Sequence, residues 1–292
     1  MMSHMKTPSL GHAVNGGTNC RVAALPQRRT AIRAMALALS AMLAWALLAA
    51  CPVLAHAGSI DRYIGLDKRY LIVATAHGTN DQFKPIYAKA SAKSRKISKI
   101  QGRSCLVCTT SGMKKGEANS FVKVKLPTCK PSHGYIRTSD FDFDTIDTKT
   151  FGLTSRSGSN SQRILACNHA LSFLGAKYSN ANSLNKHAGL NCRHLVLRAY
   201  NVAGHKVWAS RAYKMNNSHY GKKITKADLR AGDMVFYKGY NGRNYNHMAL
   251  YLGKGYVIQS TCDKGKHYPT GGVRITKMKF RALPQVYRDA LH

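Results

Sequence analysis

A single cysteine, Cys192, stands where a helix is predicted to begin. It follows a loop rich in Asn, Ser and Gly, and the apolar residues after it recur at helical spacing as far as Gly204. At a helix N-terminus the unpaired backbone N–H groups and the helix dipole favour the thiolate, which is the nucleophilic form of cysteine. The alternative interpretation is a buried structural cysteine. The residues downstream favour a nucleophile.

Two strand-like runs, 247–252 and 256–260, flank Gly253-Lys254-Gly255 and predict a β-hairpin. His247 begins the first run and Gln259 lies near the end of the second, so adjacent strands bring the two side chains to one face. A thiol, an imidazole and a third polar group form the constellation of thiol hydrolases. His267, in the loop that follows, is an alternative third group.

The order of these motifs resembles the NlpC-type cell-wall peptidases, papain-like enzymes that cleave peptidoglycan stem peptides. The family pattern has a Tyr-containing loop, a cysteine that opens a helix, a Gly-Asp-Leu-Val-Phe strand, a His-Val-Gly-Ile-Tyr-Leu-Gly strand and a final polar residue. The corresponding segments are LGAKYS (174–179), NCRH (191–194), DLRAGDMVFY (228–237), NHMALYLG (246–253) and Gln259. The resemblance covers roughly residues 161–273.

The resemblance implies roles for individual residues. Cys192 is the nucleophile, His247 the base and Gln259 the group that orients the imidazole. Tyr178 corresponds to the family's active-site tyrosine, which is thought to stabilise the oxyanion. No cofactor and no metal ion are implied.

Three residues around the cysteine differ from the family pattern. Asn191, Arg193 and His194 replace Asp, Ser and Gly. We expect these three to border the substrate groove, and we expect the cation of Arg193 to favour the thiolate of Cys192.

The expected fold of residues 162–292 is α+β and papain-like, an antiparallel sheet packed by helices. A helix is predicted over 162–174, ending at Gly175. Strands are predicted over 234–237, 247–252, 256–260 and 273–278. Residues 153–161, rich in Ser and Gly, are predicted to be a linker.

Residues 58–152 contain short runs of β-branched and aromatic residues separated by Gly, Lys, Asn and Pro, which indicate a small β-barrel domain. The span 87–140 resembles a bacterial SH3-like domain. Its segments SFVKVKLP and HGYIRTSDF carry Phe121 and Tyr135 where that family usually has tryptophans.

The same region contains candidate metal ligands. Cys105, Cys108, Cys129 and His133 have spacing compatible with zinc, but in an exported chain a disulfide to Cys129 is favoured. The acidic segment 140–147 lacks the glycine and closing glutamate of an EF-hand loop. It is predicted to be a solvated strand end and linker.

The N-terminal segment resembles a targeting signal. Residues 1–33 carry only basic charges, 34–50 are almost wholly apolar, and 55–57 read Ala-His-Ala. These features predict a signal peptide of residues 1–57, cleaved after Ala57. The alternative is lipidation at Cys51, which follows Leu-Ala-Ala and would tether the protein to a membrane.

The chain is strongly basic, with 45 Lys and Arg against 12 Asp and Glu and a net charge of +33. Removal of residues 1–57 takes away five basic and no acidic residues, which leaves +28. Such a charge favours a polyanionic partner. Nucleic acid is the usual partner of basic chains, but an export signal argues against it and favours an anionic cell-wall surface.

The sequence therefore predicts an exported peptidoglycan hydrolase of the periplasm or cell envelope. The expected bond is the D-glutamyl to diamino-acid amide of the stem peptide, and the alternatives are the amide to muramic acid, which an amidase would cleave, and a cross-link. One alternative is a non-catalytic module that binds an anionic surface. Another is a thiol acyltransferase acting on lipid, because NCRHLV resembles an Asn-Cys-Glu-His-Phe-Val segment of such enzymes, although there the histidine strand precedes the cysteine. A toxin delivered into a rival cell would need the same site.

Overall fold

Short β-strands dominate the computed structural model, which describes residues 60–154, 159–181, 185–207, 220–238, 245–281 and 286–291. The predicted signal segment, the Cys51 lipidation site and residues 155–158 of the predicted linker lie outside the described residues. No helix within these ranges is long and apolar enough to span a membrane.

The first seven strands form one antiparallel sheet with the order β3-β2-β6-β5-β4-β1-β7. The strand-like runs of the sequence, at 70–74, 86–90, 97–100, 105–110, 120–126 and 134–138, correspond to the first six of them, whereas an SH3-like barrel stays a prediction. The strands are β1 (Leu71–Ala76), β2 (Phe83–Tyr87), β3 (Lys96–Gln101), β4 (Cys105–Thr109), β5 (Phe121–Lys125), β6 (His133–Arg137) and β7 (Phe141–Ile146).

Strand β7 corrects the prediction for the acidic segment. Phe141, Phe143 and Ile146 are buried, and the acidic residues alternate with them. Asp142 pairs with His77 at 3.0 Å and is largely exposed. The segment is therefore a strand with one apolar face, and the prediction of a linker was wrong because it weighed the charges and not their alternation.

The second half of the chain is α+β, as predicted. Its six antiparallel strands have the order β12-β11-β10-β9-β13-β8, and the short strands β8 and β13 were not predicted. The elements are α1 (Asn160–Ser172), α2 (Cys192–Val202), β8 (Lys222–Ile224), β9 (Met234–Lys238), β10 (Tyr245–Gly253), β11 (Tyr256–Thr261), β12 (Gly272–Lys277) and β13 (Val286–Asp289).

The two sheets are joined by a common hydrophobic cluster, called here the shared core. The helices α1 and α2 contribute their apolar faces, and one face of each sheet contributes the remainder. Its buried members include Val73, Cys105, Val107, Ile146, Ala166, Ala199, Tyr200, Met248, Leu250 and Ile258. Hydrogen bonds support the junction, among them the one from the Lys277 amide to the Arg103 carbonyl at 2.9 Å.

A buried ion network fixes α1 to the second sheet. The guanidinium of Arg163 is fully buried and donates to Asp233 at 2.5 Å and to Asp289. Arg230 donates to the other oxygen of Asp289 at 2.8 Å. Because a buried guanidinium is stabilised only when its donors find acceptors, these contacts determine how α1 sits on β9 and β13.

The cysteines of the first sheet are free thiols, so the predicted disulfide to Cys129 was wrong. Cys105 lies in the shared core and Cys108 in a separate cluster of the first sheet, because residues three apart on a strand face opposite sides. Cys129 donates to the carbonyl of Tyr268 at 3.3 Å. Across the described ranges, no group of three or more His, Cys, Asp or Glu side chains is placed to hold a metal ion.

Candidate active site

Cys192 is the first residue of α2, as the sequence predicts. The side chain of Asn191 caps this helix by accepting the amide N–H of His194 at 2.9 Å. Asparagine is among the most favourable N-cap residues. Asn191 therefore fixes the start of the helix that presents the thiol, and its side-chain oxygen is occupied by the hydrogen bond from His194.

Two opposing effects act on the thiol of Cys192. Burial raises its pKa above the ordinary value, while the backbone N–H groups of Met248, Arg193 and Cys192 itself and the charge of Arg281 favour the thiolate. Burial prevails. The backbone N–H groups at the helix start therefore lower the pKa of Cys192, as predicted, but they do not make it a thiolate in the resting protein.

The imidazole of His247 is positioned by an irregularity in β10. The pairing with β9 shifts between Tyr245 and His247, which leaves Asn246 as an extra residue. Bulges of this kind re-aim side chains and are frequent next to active sites. Beyond the bulge His247 pairs with Tyr237, and their rings lie 5.7 Å apart.

A hydrogen-bond chain sets the tautomer of His247. Gln259 places its Oε1 2.6 Å from Nε2 of His247 and donates its own Nε2 to Thr276 Oγ1 at 2.6 Å. Because the amide nitrogen is used by Thr276, the oxygen faces the imidazole and accepts the proton on its Nε2. The lone pair of His247 is thus on Nδ1, the ring atom that is able to accept a proton. Of the two candidates for the third group, Gln259 contacts the imidazole, whereas His267 is exposed.

His247 is neutral at physiological pH. Burial lowers its pKa well below the ordinary value, and the charges of Arg281 and Arg274 lower it further, against the opposite effect of Gln259. Within the described residues no hydrogen bond joins this ring to the thiol of Cys192. Strand β10 connects the two residues instead, because the backbone N–H of Met248, the neighbour of His247, points toward the sulfur of Cys192.

Tyr178 lies in a loop that folds against the end of the second sheet. Its amide donates to the carbonyl of Lys266 at 2.7 Å, and it forms a β-bridge with Leu190. The loop approaches so closely that a Cβ on Gly272 would lie 2.3 Å from the carbonyl oxygen of Ala176. Glycine is therefore required there.

The hydroxyl of Tyr178 remains protonated. Burial, followed by the sulfurs of Cys192 and Cys262, raises its pKa to about 12, and the hydroxyl shares a hydrogen bond with Cys262. A neutral phenol within electrostatic reach of the nucleophile is a suitable hydrogen-bond donor for a developing oxyanion.

The side chain of Arg193 contacts its chain neighbour. Its guanidinium lies 3.1 Å from Nε2 of His194, and the other nitrogen of that ring lies 3.2 Å from the carbonyl of Ala181. A side-chain cation that favours the thiolate is Arg281, and the expected effect of the Arg193 charge stays a prediction. Arg193 contributes its backbone amide, and His194 connects α2 to the Tyr178 loop.

Sequence reasoning missed Arg281. Its Nη2 donates to both oxygens of Asp263 at 2.6 Å, and the two side chains are 17% and 23% exposed. Burial has the largest effect on the pKa values of Cys192 and His247. The positive charge of Arg281 adds to this by favouring the thiolate of Cys192 and disfavouring the imidazolium of His247. Arg281 lies beyond the last predicted strand and matches no part of the motif, so no signal in the sequence distinguished it from the many other basic residues.

Comparison with known protein families finds a match within the second half of the chain. Residues 175–279 match the model of the NlpC/P60 family, which confirms the resemblance. No curated protein matches the sequence significantly.

Solved structures show a weaker likeness. NlpC2 from Trichomonas vaginalis is 16% identical, with a TM-score of 0.37 over 76% of this chain and 73% of that chain. An NlpC/P60 family protein from Bacillus cereus is 17% identical, with a TM-score of 0.37 over 79% and 67%. The peptidoglycan hydrolase RipB from Mycobacterium tuberculosis is 20% identical, with a TM-score of 0.36 over 49% and 72%. Scores in this range carry no argument about activity.

Proposed function

We propose that this protein is an exported cysteine peptidase that hydrolyses an amide bond of peptidoglycan stem peptides, with the D-glutamyl to diamino-acid bond as the target. The observation that carries the proposal is the chain from Thr276 through Gln259 to His247, beside a cysteine at a helix start. This chain leaves a neutral base with its lone pair on Nδ1, which is the form that general-base catalysis requires.

Catalysis begins from the neutral pair of thiol and imidazole. His247 takes the proton of Cys192 as the sulfur attacks the amide carbonyl, and Gln259 accepts the Nε2–H of the imidazolium that results. The imidazolium then gives its new proton to the leaving amine. A thioester remains on Cys192, and water deprotonated by His247 hydrolyses it to the carboxylic acid and the free thiol.

The tetrahedral oxyanion has two donors available. The amide of Cys192 lies at the N-terminus of α2, where it makes no intrahelical hydrogen bond. The hydroxyl of Tyr178 is the second donor and stays protonated because of its raised pKa. A single donor of this kind contributes about 3 kcal/mol to transition-state stabilisation.

The choice of substrate rests on family likeness and charge. Residues 175–279 match the NlpC/P60 family, and the resemblance to that family implies peptidoglycan as the substrate. The net charge of +28 after the predicted signal segment suits an anionic cell wall. The basic and apolar segments of residues 1–50 support export. The acyltransferase alternative is disfavoured because His247 follows Cys192 along the chain.

Digestion of purified peptidoglycan tests the proposal. The native protein, under reducing conditions, should release fragments whose masses name the bond cleaved, and Cys192→Ala should release none. Cys167→Ala is the matched control, because Cys167 is also buried and free, and its sulfur donates to the carbonyl of Tyr251 within the shared core. Release of the same fragments by Cys192→Ala, or of none by the native protein, would contradict the proposal.

A further inference from the structure

Within the described residues, the guanidinium of Arg281 has a buried donor that no acceptor uses. Only its Nη2 contacts Asp263, and its buried Nε–H has no acceptor. A buried donor left without a partner costs free energy unless a ligand satisfies it. Asp263 therefore holds the guanidinium in place without saturating it.

The surroundings of Arg281 carry an excess of positive charge. Arg274 lies nearby and is almost completely buried, with neutral acceptors at Thr261 and the carbonyl of Pro269. Among the described residues no carboxylate lies within ion-pair distance of Arg274, so Asp263 is the single carboxylate facing two guanidiniums. A buried excess of this kind favours a second anion at the site.

The location of Arg281 decides which part of a substrate meets it. Its partner Asp263 is the chain neighbour of Cys262, which shares a hydrogen bond with the hydroxyl of Tyr178, and the charge of Arg281 also reaches the sulfur of Cys192. Tyr178 and Cys192 are the groups that would contact the carbonyl under attack. The residue that becomes the thioester lies against these same groups. An acidic residue on the acyl side of the scissile bond would place its free carboxylate next to Arg281.

We infer that Arg281 is a specificity-determining residue that binds the free carboxylate of the acyl-side acidic residue of the substrate. The inference rests on the proposed function. The substrate carboxylate accepts a hydrogen bond from the unused Nε–H of the guanidinium, while Nη2 stays bonded to Asp263. In an amidated residue, one neutral carbonyl oxygen replaces the two charged oxygens of the carboxylate, so this residue binds more weakly to the guanidinium.

Two synthetic stem-type peptides test the inference. They are identical except that the γ-linked glutamyl residue carries a free α-carboxylate in one and an α-carboxamide in the other. The native protein should cleave the carboxylate peptide with a kcat/KM about 10- to 100-fold higher. Arg281→Gln should bring this ratio close to one, and Arg281→Lys should give an intermediate value.

The matched control is Arg103→Gln. It removes the same charge from an exposed arginine that donates to the carbonyl of Lys279, two residues before Arg281. This variant should keep the native ratio. Cleavage of neither peptide by the native protein would overturn the proposed function and the inference with it. If the native protein cleaves both peptides equally, or Arg281→Gln keeps the native preference, only the inference fails.

Discussion

Replacing Gln259 with glutamate tests how the base is tuned. The side chain keeps its shape, Thr276 can donate its hydroxyl to the new carboxylate, and the other oxygen still faces Nε2 of His247 at the native separation of 2.6 Å. The change therefore places a negative charge against the imidazole without opening a cavity. A close opposite charge typically shifts a pKa by about 1–3 units in favour of the charged form.

The expected result is a shift of the acid limb in the pH profile of kcat/KM. His247 must be neutral to accept the thiol proton, and burial and two arginines hold its pKa below the ordinary value, so the native limb should lie below about pH 6.5. Because the carboxylate in Gln259→Glu raises that pKa, activity should be lost at a pH about 1–3 units higher.

The control for this experiment is Gln259→Asn, which keeps the amide but is too short to reach both His247 and Thr276. It should lower kcat without moving the acid limb upward. Profiles are measured from pH 4 to 10 with the glutamyl peptide, and circular dichroism confirms that each variant is folded. An acid limb that stays at the native pH in a folded Gln259→Glu protein would refute the reasoning that this contact sets the pKa of the base.

Two further predictions concern the thiol and the ion network. Because burial raises the pKa of Cys192, iodoacetamide should alkylate it at pH 5–8 no faster than a free cysteine, as followed by peptide mapping. A fast alkylation rate that stays constant across this pH range would indicate a resting thiolate and contradict the prediction. Asp233→Asn should lower the free energy of unfolding in urea by about 3–5 kcal/mol because it removes the negative charge that faces the buried guanidinium of Arg163. The exposed Asp142→Asn should change it by less than about 1 kcal/mol, and equal effects of the two changes would contradict the assigned role of burial.

The sequence predicted the parts of the site that depend on local pattern. The helix start at Cys192, the hairpin that carries His247 and Gln259, and the neighbouring strands follow from periodicity and turn residues close in sequence. Asn191 could also have been recognised as a helix cap, because asparagine before an apolar-periodic run is a known start signal.

The remaining features depend on tertiary structure. The balance between helix-start stabilisation and burial at Cys192 is set by the shared core, which no local pattern encodes. Arg281 becomes part of the site only because Asp263, from the loop after β11, holds it there. Strand β7 was missed although its alternation was visible, because four nearby acidic residues suggested a solvated segment.

The shared core has a consequence for the order of events during synthesis. The first sheet leaves the ribosome before the helices and strands that cover its apolar face, and β12 and β13 follow both helices in the sequence. Val73 and Val107 on the first sheet therefore reach their final environment only after these later elements have been translated. We expect the apolar face of the first sheet to stay uncovered during synthesis until then, which makes it the surface most open to non-native contacts in a partly synthesised chain.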